Sequence, residues 1–364
     1  MKTSSLKKSI ALGAALAALA LTPDLHAQVN VVVEGGSASQ SILYDRATNL
    51  FAGGTFTVYG GNQKSTVRRF QGSSLNPNLT GYNPITLDIN VQNGAVNGLL
   101  ALVNQTAGAG DTNYLGVPEI PTFVDSATTP EAVGIDSVAA NLVEYPTYVV
   151  PLVYIKNSAF PDLGPITNLT QRQAVSLETS TNKASFFGGT NNNYVYFVGR
   201  NSQSAVRTEI DLNINNTLNI KTFTNNSAGL PVQDKSADPG LSSASTLANT
   251  VLALTNSIGE VAVQNLTSTL VPLAYEGVNY SVSNVINGSY PLWGYEHYYI
   301  ISPPNTGSPS TAQQAVFNAF YQSVTNAAFQ SINYPTFTNN FVPDTALRVT
   351  RNFDGGQISP LPNY

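Results

Sequence analysis

Two long extended runs constrain how this chain can fold. Residues 145–155 (YPTYVVPLVYI) and 290–301 (YPLWGYEHYYII) are dense in aromatic and β-branched residues, the composition of a pleated, buried strand. They cut the chain into a first segment, an insert and a return. Pro146 and Pro151 lack a backbone donor, which argues against a central-sheet position for the first run.

Around these runs the chain alternates strand and helix signals. Residues 29–33 read as a strand, 34–40 (EGGSASQ) as a turn, and 41–50 as a helix with Ile42, Leu43, Ala47 and Leu50 at helical spacing. Residues 56–59 and 85–91 read as strands, 93–103 (NGAVNGLLALV) as a turn and helix, and 108–114 as a loop. Residues 120–127 form a short strand that ends in Asp125 and Ser126. In the insert, Thr170 and Gln173 make a capping box, 194–198 is a strand, and 205–210 starts a helix. Residues 211–243 are polar and predict at most a peripheral hairpin around Leu212, Ile214, Leu218 and Ile220. A helix over 245–256 and a strand over 258–263 follow, and the return carries an amphipathic helix over 312–329. The alternation predicts an α/β fold of layered helices and sheets.

Composition narrows the chemistry. Lys2, Lys7 and Lys8 precede the apolar run 10–21, and Leu25-His26-Ala27 follows, which predicts a secretory signal cut after about Ala27. The apolar run is short for a membrane span, and no later segment is long enough, so the expectation is an exported, soluble, periplasmic or extracellular protein. Of 16 basic and 21 acidic residues, removal of Lys2, Lys7, Lys8 and Asp24 leaves 13 against 20. This acidic balance without a basic run argues against nucleic acid or an anionic membrane as partner. There is no Cys, and of two His only His297 remains after the signal. A metal centre or a Ser-His-Asp triad would have to run through it, and its aromatic surroundings read instead as a hydrogen-bonded core position. No catalytic residue, metal or cofactor is expected.

The stretch YVYFVGRNSQSAVRTE, residues 194–209, delivers an arginine and serines onto a helix start. First-turn N–H groups, the helix dipole, hydroxyls and a guanidinium together suit an oxyanion, although Ser204 as a plain helix cap explains the serine equally well. The turn at Gly36, Ser37, Ala38 and Ser39 admits the same two readings, a capped helix or a second anion-binding helix start. Asp125 is either a turn cap or the acceptor for a protonated oxyanion.

Five stretches in order resemble the phosphate-binding proteins of ABC importers, within the type 2 periplasmic substrate-binding family. They are GGSAS, FVDSA, VVPLVYIKN with ITNLT, GRNSQSAVR, and GSYPLWGYEHYYI. The resemblance implies a two-lobed architecture in which each lobe is a mixed sheet flanked by helices, joined by two hinge strands. It places lobe 1 at 28–148 and 294–364 and lobe 2 at 149–293, with each half carrying its own sheet. It maps Gly36, Ser37, Ala38, Ser39, Asp125, Ser126, Arg200, Ser202, Ser204 and Arg207 onto the ligand. Gln203, Ala205 and Val206 depart from the pattern, removing a glycine and a threonine hydroxyl, and the insert at 211–243 is longer. The implied function is an exported, monomeric, non-enzymatic protein that binds phosphate or a related oxyanion for an ABC permease in the inner membrane. The alternative is an extracellular structural or adhesive protein on the same scaffold. A hydrolase of phosphate esters using Ser37 or Ser204 would lack a base and a metal cluster.

Overall fold

The computed structural model describes residues 28–61, 66–108, 110–331, 337 and 339–362; the expected signal lies outside them. Among the described residues twelve strands make one mixed sheet. They are β1 (Val29–Gly35), β2 (Phe56–Tyr59), β3 (Val67–Gly72), β4 (Ile85–Asn90), β5 (Phe123–Ser126), β6 (Leu142–Asn157), β7 (Asn182–Lys183), β8 (Tyr194–Val198), β9 (Ser257–Ala262), β10 (Leu270–Pro272), β11 (Trp293–Ile301) and β12 (Val342–Pro343). The order is β2-β3-β4-β1-β5-β11-β6-β9-β8-β7, with β10 and β12 also on β6. β4, β1 and β5 run parallel, as do β8 and β9, and the pairings with β6 and β11 are antiparallel. Among the described residues seven helices accompany the sheet: α1 (Gln40–Leu50), α2 (Ala95–Asn104), α3 (Gln171–Thr179), α4 (Ala205–Asn213), α5 (Ala244–Ala253), α6 (Val282–Ile286) and α7 (Thr311–Val324).

The two extended runs of the sequence are β6 and β11, the crossing strands of a two-lobed α/β fold. β6 pairs with β11 from Leu142 opposite Ile301 to Pro151 opposite Trp293, then pairs with β9 from Leu152 to Lys156. One 16-residue strand therefore serves both halves and joins their ladders. The mixed sheet expected in each half is present, and the two are joined through β6. The placement of the prolines is corrected, because β6 is central. Pro146 sits where the register shifts between Glu296 and His297, and Pro151 sits at the change of partner. A missing N–H costs least at such irregularities.

Packing follows the sequence pattern. Val31 and Val33 of β1 and Ile42, Leu43 and Ala47 of α1 are buried together. Phe317 and Phe320 of α7 meet Phe123 at 5.1 and 5.7 Å between ring centroids. The capping box at Thr170 and Gln173 forms as expected. Three elements differ. β3 carries Arg68 and Arg69, which hid it from a search for apolar alternation, and Arg69 is paired with Asp88 of β4 at 2.6 Å. The hairpin of the polar stretch lies later, at Phe223–Asn225 with Pro231–Gln233, because 211–213 continue α4. The helix expected over 312–329 ends at Val324. Beyond β12, the return packs against residues of the insert and of the start of β11. Arg351 donates to the Trp293 carbonyl at 3.0 Å and to Pro291 and Asn213, and Gly355 packs on Leu212 of α4.

Candidate functional site

Parallel strands place their following loops at one edge, the carboxyl edge, where open α/β sheets hold ligands. Here β1, β4 and β8 each lead through a glycine-containing turn into a helix, and the three helix starts converge. Gly36, Ser37 and Ala38 precede α1, Gly94 and Ala95 open α2, and Ser204, Ala205 and Val206 open α4. With Ala127, Arg200 and Glu296 they line a cavity of about 10 Å³. That is room on the scale of a water or one small ion, not a sugar or a nucleotide. The first-turn N–H groups of three helices have no intrahelical acceptors, and three dipoles add positive potential at one point.

The two halves meet across this cavity. Val96 N donates to the Gln203 carbonyl at 3.3 Å. Gln264 Nε2 donates to the Ser37 carbonyl, and Ser41 Oγ donates to Gln264 Oε1, each at 2.5 Å. Gly94 has φ 86° and ψ 152°, a conformation essentially confined to glycine, and a Cβ there would lie 2.1 Å from the Gln203 carbonyl oxygen.

Arg200 is the buried cation of the site, 2 % exposed. Its Nε and Nη2 donate to the carbonyls of Leu241 and Ser242 at 2.9 and 2.8 Å, which fixes the fork. Nη1 is left to face Ser37 Oγ at 3.5 Å, across the cavity mouth. Burial lowers its pKa to about 10, so it stays charged at neutral pH. Ser204 caps α4 by accepting from Arg207 N at 3.4 Å.

Five of the residues expected at the ligand therefore come together at the cavity: Gly36, Ser37, Ala38, Arg200 and Ser204. Ser39, Asp125 and Ser126 stand behind it. Ser39 donates its hydroxyl to Asp125 Oδ2 and to the Gly36 carbonyl, and Ser126 bonds Thr128 in a local turn. Ser202 is exposed on the loop, with its N–H on Asp238. Arg207 points along α4 to Asp211 at 3.4 Å and to the Arg200 carbonyl. His297, as expected, is a packed position, with Nδ1 2.8 Å from Glu144.

Sequence reasoning read α2 as a helix but missed its start as part of the site, and it missed Glu296. The first was legible as another strand, glycine turn and helix start. The second had one signal, a lone carboxylate within an aromatic hinge strand. Glu296 is 1 % exposed and lines the cavity, with Asp125 immediately behind it. Burial, then the neighbouring carboxylate, drives the Glu296 pKa well above the usual range, and burial raises Asp125 against the Ser39 hydrogen bond. Among the described residues no group of three or more His, Asp or Glu side chains is arranged to hold a metal.

Burial likewise raises Glu34, Glu178, Glu209 and Glu260. The folded chain thus keeps protons that the unfolded chain loses above about pH 4, so stability falls as pH rises from there through neutrality. Melting at pH 5 should occur several degrees above melting at pH 8. A Tm that climbs steadily from pH 5 to 8 would contradict these burials.

A two-lobed α/β fold with its cavity at the inter-lobe strand ends is the fold of periplasmic substrate-binding proteins. The chain matches a structure from Clostridium perfringens, provisionally assigned as a phosphate ABC transporter substrate-binding protein and holding bound phosphate. That match has 14 % identity and a TM-score of 0.56 over 86 % of this chain and 99 % of that one. An ABC-type phosphate transport receptor from Vibrio cholerae matches at 14 % identity and a TM-score of 0.51, over 86 % and 99 %. A phosphate-binding protein from Stenotrophomonas maltophilia matches at 12 % and 0.51, over 86 % and 90 %. No protein-family model and no curated protein matches the sequence.

Proposed function

We propose that this chain is an exported solute-binding protein that holds an oxyanion, phosphate by preference, between two lobes for an ABC-type permease. The lobes are residues 28–148 with 294–364, and 149–293, and the signal is removed after about Ala27. The observation that carries the reading is the convergence of three helix starts and one buried guanidinium on a single small cavity. Backbone donors and dipoles provide the attraction inside a dry cleft, so the net negative charge of the chain does not oppose it. The contacts of Gln264 and Gln203 across the cleft suit a closed state, in which a permease would read the lobes as a rigid pair. The reading is of capture and release of an anion and includes no catalytic step.

Ala205 and Val206, apolar at the start of α4, favour a second reading, a secreted structural protein that keeps the scaffold without the ligand. Calorimetric titration of phosphate into residues 28–364, after unfolding and refolding to strip bound anion, separates the two. A single site per chain is expected. Absence of binding by phosphate, arsenate and sulfate alike would remove the solute-binding reading.

A further inference from the structure

The outer edge of the large sheet in the first half is unprotected. Unpaired N–H and C=O groups at an edge template another strand, and sheets usually blunt them with a lysine, a proline, a bulge or a very short strand. β7, at the far end, follows that rule with two residues, one of them Lys183. β2 does not. Phe56, Thr57, Val58 and Tyr59 are all exposed and uncharged, and they pair in regular register with β3. Among the described residues no strand lies on their other side. The rings are held rather than loose, because Phe56 stacks on Phe51 and Tyr59 on Tyr114, each at 5.3 Å between centroids. Ser73 N donates to the Thr55 carbonyl at 2.9 Å. By the alternation of an antiparallel ladder, Thr55, Thr57 and Tyr59 turn their backbone groups to β3, and Phe56 and Val58 turn theirs outward. Around this strand the sequence is nearly symmetric: residues 53–61 read GGTFTVYGG, with Thr57 at the centre.

We infer that two copies of the chain join edge to edge through β2, antiparallel, about a two-fold axis at Thr57. The near-palindrome selects a second copy as the occupant, because a two-fold contact sets each residue opposite its mirror position. In that register Phe56 lies opposite Val58 of the other copy and exchanges both backbone bonds with it, an aromatic ring on a β-branched side chain. Thr57 faces Thr57 in a non-hydrogen-bonded pair, with Cα atoms about 4.5 Å apart. Thr55 faces Tyr59, and glycines face glycines at both ends. Gly53, Gly60 and Gly61 have φ of 77°, 93° and 87°, which ends the strand there. A shift of one residue would set outward groups against inward ones, and a shift of two would set Phe56 or Val58 against a glycine. No charged residue occurs in 53–61, so no like charges meet. β2 is three strands from β1, so the contact leaves the anion cavity open. The resemblance implied a monomer, and this edge is where the chain departs from it.

The test combines sedimentation of residues 28–364 with cross-linking. A contact of this size is at the small end of protein interfaces, so monomer is expected near about 1 µM and dimer near about 500 µM. Thr57→Lys sets two ammonium groups against each other on the axis and should weaken association about tenfold or more, while thermal melts confirm the fold. The register is read with cysteine, since the chain has none of its own. Thr57→Cys, oxidised with glutathione disulfide at about 500 µM chain, should give a covalent dimer on a non-reducing gel, because opposed Cα atoms at that spacing fit a disulfide. In Thr55→Cys the two thiols lie roughly 14 Å apart along the ladder and should link far less. A chain that stays monomeric at the highest concentration overturns the inference, as does dimerisation that Thr57→Lys leaves unchanged. Equal linking of the two cysteine variants, or no linking of Thr57→Cys, overturns the axis at Thr57.

Discussion

Arg200→Ala should weaken phosphate binding by about one to two orders of magnitude. A charge-assisted contact to an anion in a cleft closed to water contributes roughly 1.5–3 kcal/mol, which is that range of Kd. The geometry singles out Arg200 because two of its donor groups are held by the Leu241 and Ser242 carbonyls and the third faces the cavity. Arg207 is the internal control. It lies one helical turn away and is occupied by Asp211, so Arg207→Ala should change Kd about threefold or less. Arg200→Lys should recover part of the loss, since the charge remains while the fork that anchors it goes. Equal losses for Arg200→Ala and Arg207→Ala would show that the loop after β8 does not present its arginine to the ligand.

Gly94→Ala should be nearly as damaging, although it removes no group that could touch an anion. The added Cβ would fall 2.1 Å from the Gln203 carbonyl oxygen, in a backbone conformation that side chains do not adopt. Relief comes from parting the two halves, which breaks the bond from Val96 N to Gln203 and takes the α2 start away from Arg200. A binding-competent state that is rarely populated raises the apparent Kd in proportion, so a loss of about tenfold or more is expected, with a fall in Tm of several degrees from the strained backbone. Unchanged phosphate affinity in a folded Gly94→Ala chain would mean that closure between α2 and the loop at Gln203 is not part of binding.

What the sequence made legible was local grammar. Strand, glycine turn and helix start recur at β1, β4 and β8, and the same turns that end a strand also point N–H groups at a common place. Thr170 with Gln173 and the serine caps were readable because capping is a contact between near neighbours. The less legible features depend on partners far along the chain. Asp125 and Ser39 look like ligand groups in the sequence, yet their strand and helix direct them at one another, separated by 86 positions. Glu296 looks like a hinge residue, and only the pairing of β11 with β5 and β6 brings it to the cavity. Pro146 and Pro151 suggested a strand outside the centre because their neighbours, a bulge and a change of partner, are properties of the assembled sheet.

The most direct test of the central claim is the position of a bound oxyanion. Crystals of residues 28–364 grown with arsenate should show one strong anomalous peak in the cavity, within hydrogen-bonding distance of Arg200 Nη1 and the backbone N–H groups that open α4. A cavity without such a peak at saturating arsenate, or an ion seated elsewhere on the chain, would contradict the account.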